Sequence, residues 1–74
     1  MTLDKLNIGD TAIIKAVNCN PALKNRFYSF GIVKGSKVFV EEVTLTKSTI
    51  EIKINQTKIA IRLSEASAIE VEHA

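Results

Sequence analysis

Very few side chains in this 74-residue sequence are equipped for covalent or metal chemistry. It contains one cysteine, Cys19, and one histidine, His73, which stand far apart along the chain. One thiolate and one imidazole fall short of the four ligands of a closed tetrahedral metal site, and a thiol without a neighbouring base is a poor nucleophile. The three glycines, Gly9, Gly31 and Gly35, are too scattered to form a phosphate cradle of the G-x-x-x-x-G-K-[ST] kind. The residues therefore predict no catalytic constellation, no metal site, no resident cofactor and no nucleotide hydrolysis by this chain alone. A lone cysteine also excludes an intrachain disulfide, which fits a reducing compartment.

The remaining chemistry is recognition. Net charge is +2, from 10 basic and 8 acidic side chains, too small for a dedicated nucleic-acid or membrane binder. It is unevenly spread: residues 1–40 carry six basic groups against Asp4 and Asp10, a balance of +4, and residues 41–74 four basic groups against six acidic ones, a balance of −2. Lys24, Arg26, Lys34 and Lys37 fall close together, with Tyr28 among them and Phe39 just after. Tyr and Arg are enriched among interface anchors, and exposed lysines steer acidic partners, so the candidate partner-binding residues are Lys24, Arg26, Tyr28, Lys34 and Phe39.

These residues must be positioned by local elements that the sequence marks clearly. Asn20-Pro21 is a helix entry: Asn can cap orphan backbone N–H groups, and Pro at the first helical position loses no hydrogen bond. A helix over Pro21–Phe30 would place Leu23, Phe27 and Phe30 on one inward stripe, with Gly31 as its left-handed C-terminal cap. Val33-Lys34-Gly35-Ser36 suits a β-turn leading into a strand over Lys37–Val43, where Phe39 alternates with Val38 and Val40 and so points outward unless the N-terminal turn covers it.

Elsewhere the pattern is that of strands. Thr11–Val17 is β-branched without clean alternation, which suggests a strand with a bulge. Ser48–Ile54 alternates Ile50, Ile52 and Ile54 with Glu51 and Lys53. Asn55-Gln56 makes a two-residue hairpin to Thr57–Leu63, where Ile59, Ile61 and Leu63 face inward. Ser64–Ala66 is a brief turn before a last strand over Ala68–Val71. At the N-terminus, Thr2 caps a helical turn that directs Leu3 and Leu6 inward, and Gly9-Asp10 turns into the next segment. Five short strands with one helix inserted after the first predict a single domain, residues 1–74. Its fold class is mostly β, a small SH3-like antiparallel barrel closed by the last strand.

The run Leu23–Val38, with its short helix, Phe30-Gly31 pair, Lys34-Gly35 turn and β-branched strand, resembles the FeoA pattern. Ile59–Ala66 with Ile69-Glu70-Val71 is similar to that family's closing segment, and Leu3, Leu6 and Gly9 to its opening one. The likeness spans nearly the whole chain. It departs at Ile8 and Lys34, where the family often has Pro, and at Phe30, where it often has Leu; Lys can still adopt the φ that Pro presets. The resemblance implies a non-enzymatic accessory protein of bacterial ferrous iron uptake. Its implied partner is the large membrane ferrous iron transporter with a cytoplasmic GTPase domain, of the FeoB type.

Other roles for a small barrel are less well matched. A nucleic-acid binder needs exposed aromatic platforms among basic groups, whereas these aromatics look largely internal. A proline-rich peptide reader usually lines its groove with Trp, which is missing. A fragment of a metal-dependent repressor would lack its DNA-reading helices. The N-terminus has no apolar signal region, and no apolar run of about 18 residues occurs. The expected location is therefore the cytoplasm, with recruitment to the inner membrane face through the partner.

Overall fold

The computed structural model describes residues 1–74. A short 3₁₀ turn, Leu3–Lys5, precedes β1 (Thr11–Val17), α1 (Pro21–Ser29), β2 (Lys37–Thr44), β3 (Thr49–Ile54), β4 (Thr57–Arg62), α2 (Leu63–Ala66) and β5 (Ile69–His73). All strand pairs are antiparallel, in the sheet order β4-β3-β2-β1-β5, with the helix inserted between β1 and β2. The architecture is the small SH3-like barrel that the strand pattern predicts. Barrel closure differs from expectation: β5 pairs along β1 and no ladder joins it to β4, so the hydrogen-bonded ring is left open and α2 links the two ends.

One apolar cluster of 17 residues fills the interior. Ile50, Ile52 and Ile54 of β3 and Ile59 and Ile61 of β4 supply its floor, the alternation having put all five on one face. Leu3 and Leu6 reach in from the N-terminal turn, as expected, although Thr2 does not cap it: its hydroxyl donates to the Asp4 carboxylate instead of accepting a backbone N–H. The irregular pattern of β1 has a structural cause. The register with β5 slips between Ile14 and Ala16, a bulge that leaves Lys15 outward while Ile14 and Val17 stay buried.

The inward stripe of α1 differs from the one read off the spacing. Phe27 is fully buried and Leu23 packs half-buried against the core, but Phe30 is 40% exposed. The helix stops at Ser29, and a Schellman motif reverses the chain there. Gly31, at φ +88°, donates its N–H to the Tyr28 carbonyl at 3.0 Å, and Ile32 donates to the Phe27 carbonyl at 2.9 Å. That reversal carries Ile32 into the core, where it is fully buried, while Phe30 is left at the surface. Leu63 is likewise displaced: it is the first residue of α2, which follows directly on β4 with Arg62 as its N-cap, the Arg62 N–H donating to the Glu65 carboxylate at 3.0 Å, and it lies half-buried beside the core.

Candidate partner-binding surface

Helix α1 is built as its first residues demand. Asn20 Oδ1 accepts the Leu23 N–H at 2.9 Å and Pro21 takes the first helical position. Phe27 anchors the inner side, so Lys24 and Tyr28, one turn apart, share an outer side; the Lys24 ammonium lies 5.9 Å from the Tyr28 ring centroid. Tyr28 is 44% exposed. Arg26 is engaged differently. Its guanidinium pairs with Glu65 of α2 at 3.0 Å and lies 5.9 Å from the Phe27 ring, tying the two helices together. Of the residues proposed from sequence, Arg26 is thus the one already holding an internal partner.

After the helix, a tight turn presents Lys34. Ser36 N–H donates to the Val33 carbonyl at 3.0 Å, Gly35 adopts φ +93°, and the Ser36 hydroxyl donates to the Gly31 carbonyl at 2.8 Å. Gly35 N–H also bonds the Ile14 carbonyl at 2.8 Å, which fastens the turn to β1. Phe30 and Val33 are exposed beside it. Phe39 is 39% exposed on the outer face of the sheet, uncovered by the N-terminal turn, in a shallow depression shared with Thr11, Lys37, Lys53 and Asn55.

The candidates therefore fall on two surfaces. Lys24 and Tyr28 share the helix, with Lys34 on the adjoining turn, while Phe39 sits on the sheet among Lys37 and Lys53. No Asp or Glu occurs between Thr11 and Val40, so the helix and turn present basic charge with Glu65 as the partner drawn in by Arg26. The expectation that the aromatics are largely internal fails, since Tyr28, Phe30 and Phe39 are exposed and Phe27 alone is buried; sequence reasoning also missed Val33, and Ile8 and Leu45, which line a second shallow groove with Leu6 and Val43. The Gly31 signal could have exposed Phe30, since a left-handed cap ends the stripe one residue earlier.

Cys19 is half-buried against the core beyond one end of β1, and His73 pairs opposite Ala12 near the other. No three His, Cys, Asp or Glu side chains gather where they could hold a metal ion. The Lys15 ammonium, 2.9 Å from Glu72, holds that carboxyl below its usual range, first by hydrogen bonding and then by charge attraction. No helix is long and apolar enough to cross a membrane.

A model of the FeoA domain matches residues 1–73. The chain belongs to the FeoA family. A Campylobacter jejuni protein named Fe(2+) transport protein A is 37% identical over 71 residues, 96% of each chain. A Helicobacter pylori protein of the same name is 36% identical over 62 residues, 84% of this chain and 82% of that one. The solved FeoA protein from Chlorobium tepidum superposes with a TM-score of 0.92 at 32% identity, covering 99% of this chain and 70% of that one. The Stenotrophomonas maltophilia FeoA, described as an SH3 domain protein, matches with a TM-score of 0.85 at 28% identity over 97% of this FeoA chain and 89% of its own. A manganese-dependent transcriptional repressor shares the fold at 23% identity.

Proposed function

We propose that this FeoA chain is a non-enzymatic accessory protein of ferrous iron uptake that binds the cytoplasmic, GTPase-containing part of the ferrous iron membrane transporter. Lys24, Tyr28 and Lys34 form the primary contact, Arg26 lies beside it in its pair with Glu65, and Phe39 is a second candidate contact on the sheet face. Three of the seven exposed large apolar residues, Tyr28, Phe30 and Val33, occur on the helix and the turn after it, a stretch that carries basic groups and no acidic one; this concentration carries the reading. Exposed apolar surface rimmed by like charge is the composition of an interface, with the aromatic as anchor and the lysines as steering groups. Relatives named for Fe(2+) transport make the transporter the fitting partner.

Binding kinetics on solubilised transporter test this directly. Reversing Lys24 and Lys34 to Glu should lower the association rate about tenfold and flatten its salt dependence, because rim charges act on encounter. Tyr28→Ala should instead raise the dissociation rate. Both variants should keep the wild-type circular dichroism spectrum. If both bind as wild type does and restore iron uptake equally in a deletion strain, the contact lies elsewhere.

A further inference from the structure

The chain treats the two ends of its sheet differently. The outer edge of β5 is covered by the N-terminus: Thr2 bridges to Glu70, and the Val71 N–H donates to the Met1 carbonyl at 2.8 Å. The outer edge of β4 has no such cover. The two-residue turn Asn55-Gln56 makes Ile54 and Thr57 a hydrogen-bonded pair, so the antiparallel alternation aims the backbone of Thr57, Ile59 and Ile61 at β3 and that of Lys58 and Ala60 away from it. The same parity holds deeper in the sheet. Val40, which points away from β3, exchanges bonds of 2.9 Å with Gly9 and Asp10. Lys58 and Ala60 find no equivalent partner, and both are exposed. Beyond them the Arg62 N–H is taken by Glu65.

The side chains on this edge select what can pair with it. Lys58, Ala60 and Arg62 share the outer face, and Lys58 stands directly across from Lys53, a like-charge cross-strand pair that costs stability. None of these three cations has a carboxylate within ion-pair distance; Glu51, opposite Ala60, is half-buried one strand further in. A second copy pairing antiparallel about Ala60 would set Lys58 against Arg62, so the charges reject self-pairing.

We propose that the β4 edge accepts an extended acidic segment of a partner protein as an added antiparallel strand. Its backbone pairs with Lys58 and Ala60. Two carboxylates four residues apart meet Lys58 with Lys53, and Arg62, and a small uncharged residue sits between them opposite Ala60 and Glu51. This edge is separate from the α1 face and does not depend on the function proposed for that face.

The probe is the synthetic peptide Thr-Glu-Val-Ser-Val-Glu-Thr, added to the isotope-labelled full chain while amide shifts and hydrogen exchange are followed. The Lys58 and Ala60 amides should shift and gain protection. Replacing both Glu by Gln should weaken binding roughly two- to tenfold, as expected for exposed ion pairs. Replacing them by Lys should abolish binding. Ala60→Pro removes an N–H that the β3 ladder does not use and should lose the protection at an unchanged fold. Lys58→Glu, should the proline variant fail to fold, must shift preference from the Glu peptide toward the Lys peptide. The proposal is overturned by absence of binding at millimolar peptide, by shifts confined to α1, or by an unchanged preference in Lys58→Glu. Self-association through β4, or identical shifts from oligothymidine, would overturn it equally.

Discussion

The segment from Pro21 to Ser36 and the hairpin from Thr49 to Arg62 are of similar length, yet they use apolar side chains in opposite ways. The hairpin buries Ile50, Ile52, Ile54, Ile59 and Ile61 and leaves polar residues outside. The inserted segment buries only Phe27 and Ile32 and exposes Tyr28, Phe30 and Val33. A hairpin has a two-residue period and a partner strand to define its inner face, so nearly every apolar residue can be satisfied at once. A short helix ended by a Schellman reversal has room for few inward contacts; Leu23 is only half-buried, and Tyr28, Phe30 and Val33 face solvent, where a partner can use them. The scaffold and the recognition surface are thus drawn from different local geometries.

The sharpest way to break that contrast is at its one deep contact. Phe27→Ala should cost about 3 to 5 kcal/mol, as deleting a buried phenyl ring typically does, and so small a domain could unfold. Thermal denaturation measures it; a wild-type melting temperature would mean that α1 is not anchored through Phe27. The reversal itself comes next. Gly31 has φ +88°, and an added Cβ would meet Ile54 Cγ2 at 3.5 Å, an ordinary contact, so the penalty of Gly31→Ala is conformational, about 1 to 2 kcal/mol. A negligible change would show that the chain can leave the helix by another route.

Smaller still is the tie between helices. The Arg26–Glu65 pair is partly exposed, so a double-mutant cycle with alanine should give a coupling below about 1 kcal/mol. A coupling well above this would make α1 an integral part of the scaffold and blunt the comparison. The smallest effect belongs to Lys15 and Glu72, which lie on the scaffold's outer face. Lys15 lowers the folded-state pKa of Glu72, so any stability from the pair is present above the unfolded carboxylate pKa and is lost as pH falls through the folded value. Glu72 is fully solvated, so Lys15→Ala should leave the melting temperature essentially unchanged at neutral pH while an NMR titration shows the Glu72 pKa rising to the ordinary range. An unmoved titration would mean that Lys15 is not the cause.

Features governed by near neighbours in the chain were legible without coordinates. Asn20-Pro21 starts α1, Gly31 and Gly35 take the left-handed positions, Asn55-Gln56 closes the hairpin, and the isoleucines of β3 and β4 face inward. In each case one residue's dihedral preference or a period of two decides the outcome. The family likeness adds to this because it rests on the order of those same local signals. The helix stripe marks where local reading ran out: spacing alone counts Phe30 inward, but the choice between Phe30 and Ile32 depends on where the chain goes after Gly31.

Tertiary structure decided what distant parts of the chain do to one another. Arg26 and Glu65 are 39 positions apart, and only the fold, by bringing α2 within reach of α1, turns a candidate contact residue into one half of an ion pair. Phe39 looked like a neighbour of the helix cluster, but β2 carries it to the sheet face, where Lys53 from the next strand stands opposite. Whether a strand edge is covered is likewise invisible to periodicity, because a strand's own sequence records which face is buried and not which edge is paired. The N-terminus seals β5 and leaves Lys58 and Ala60 of β4 open, an asymmetry set by chain ends meeting in space.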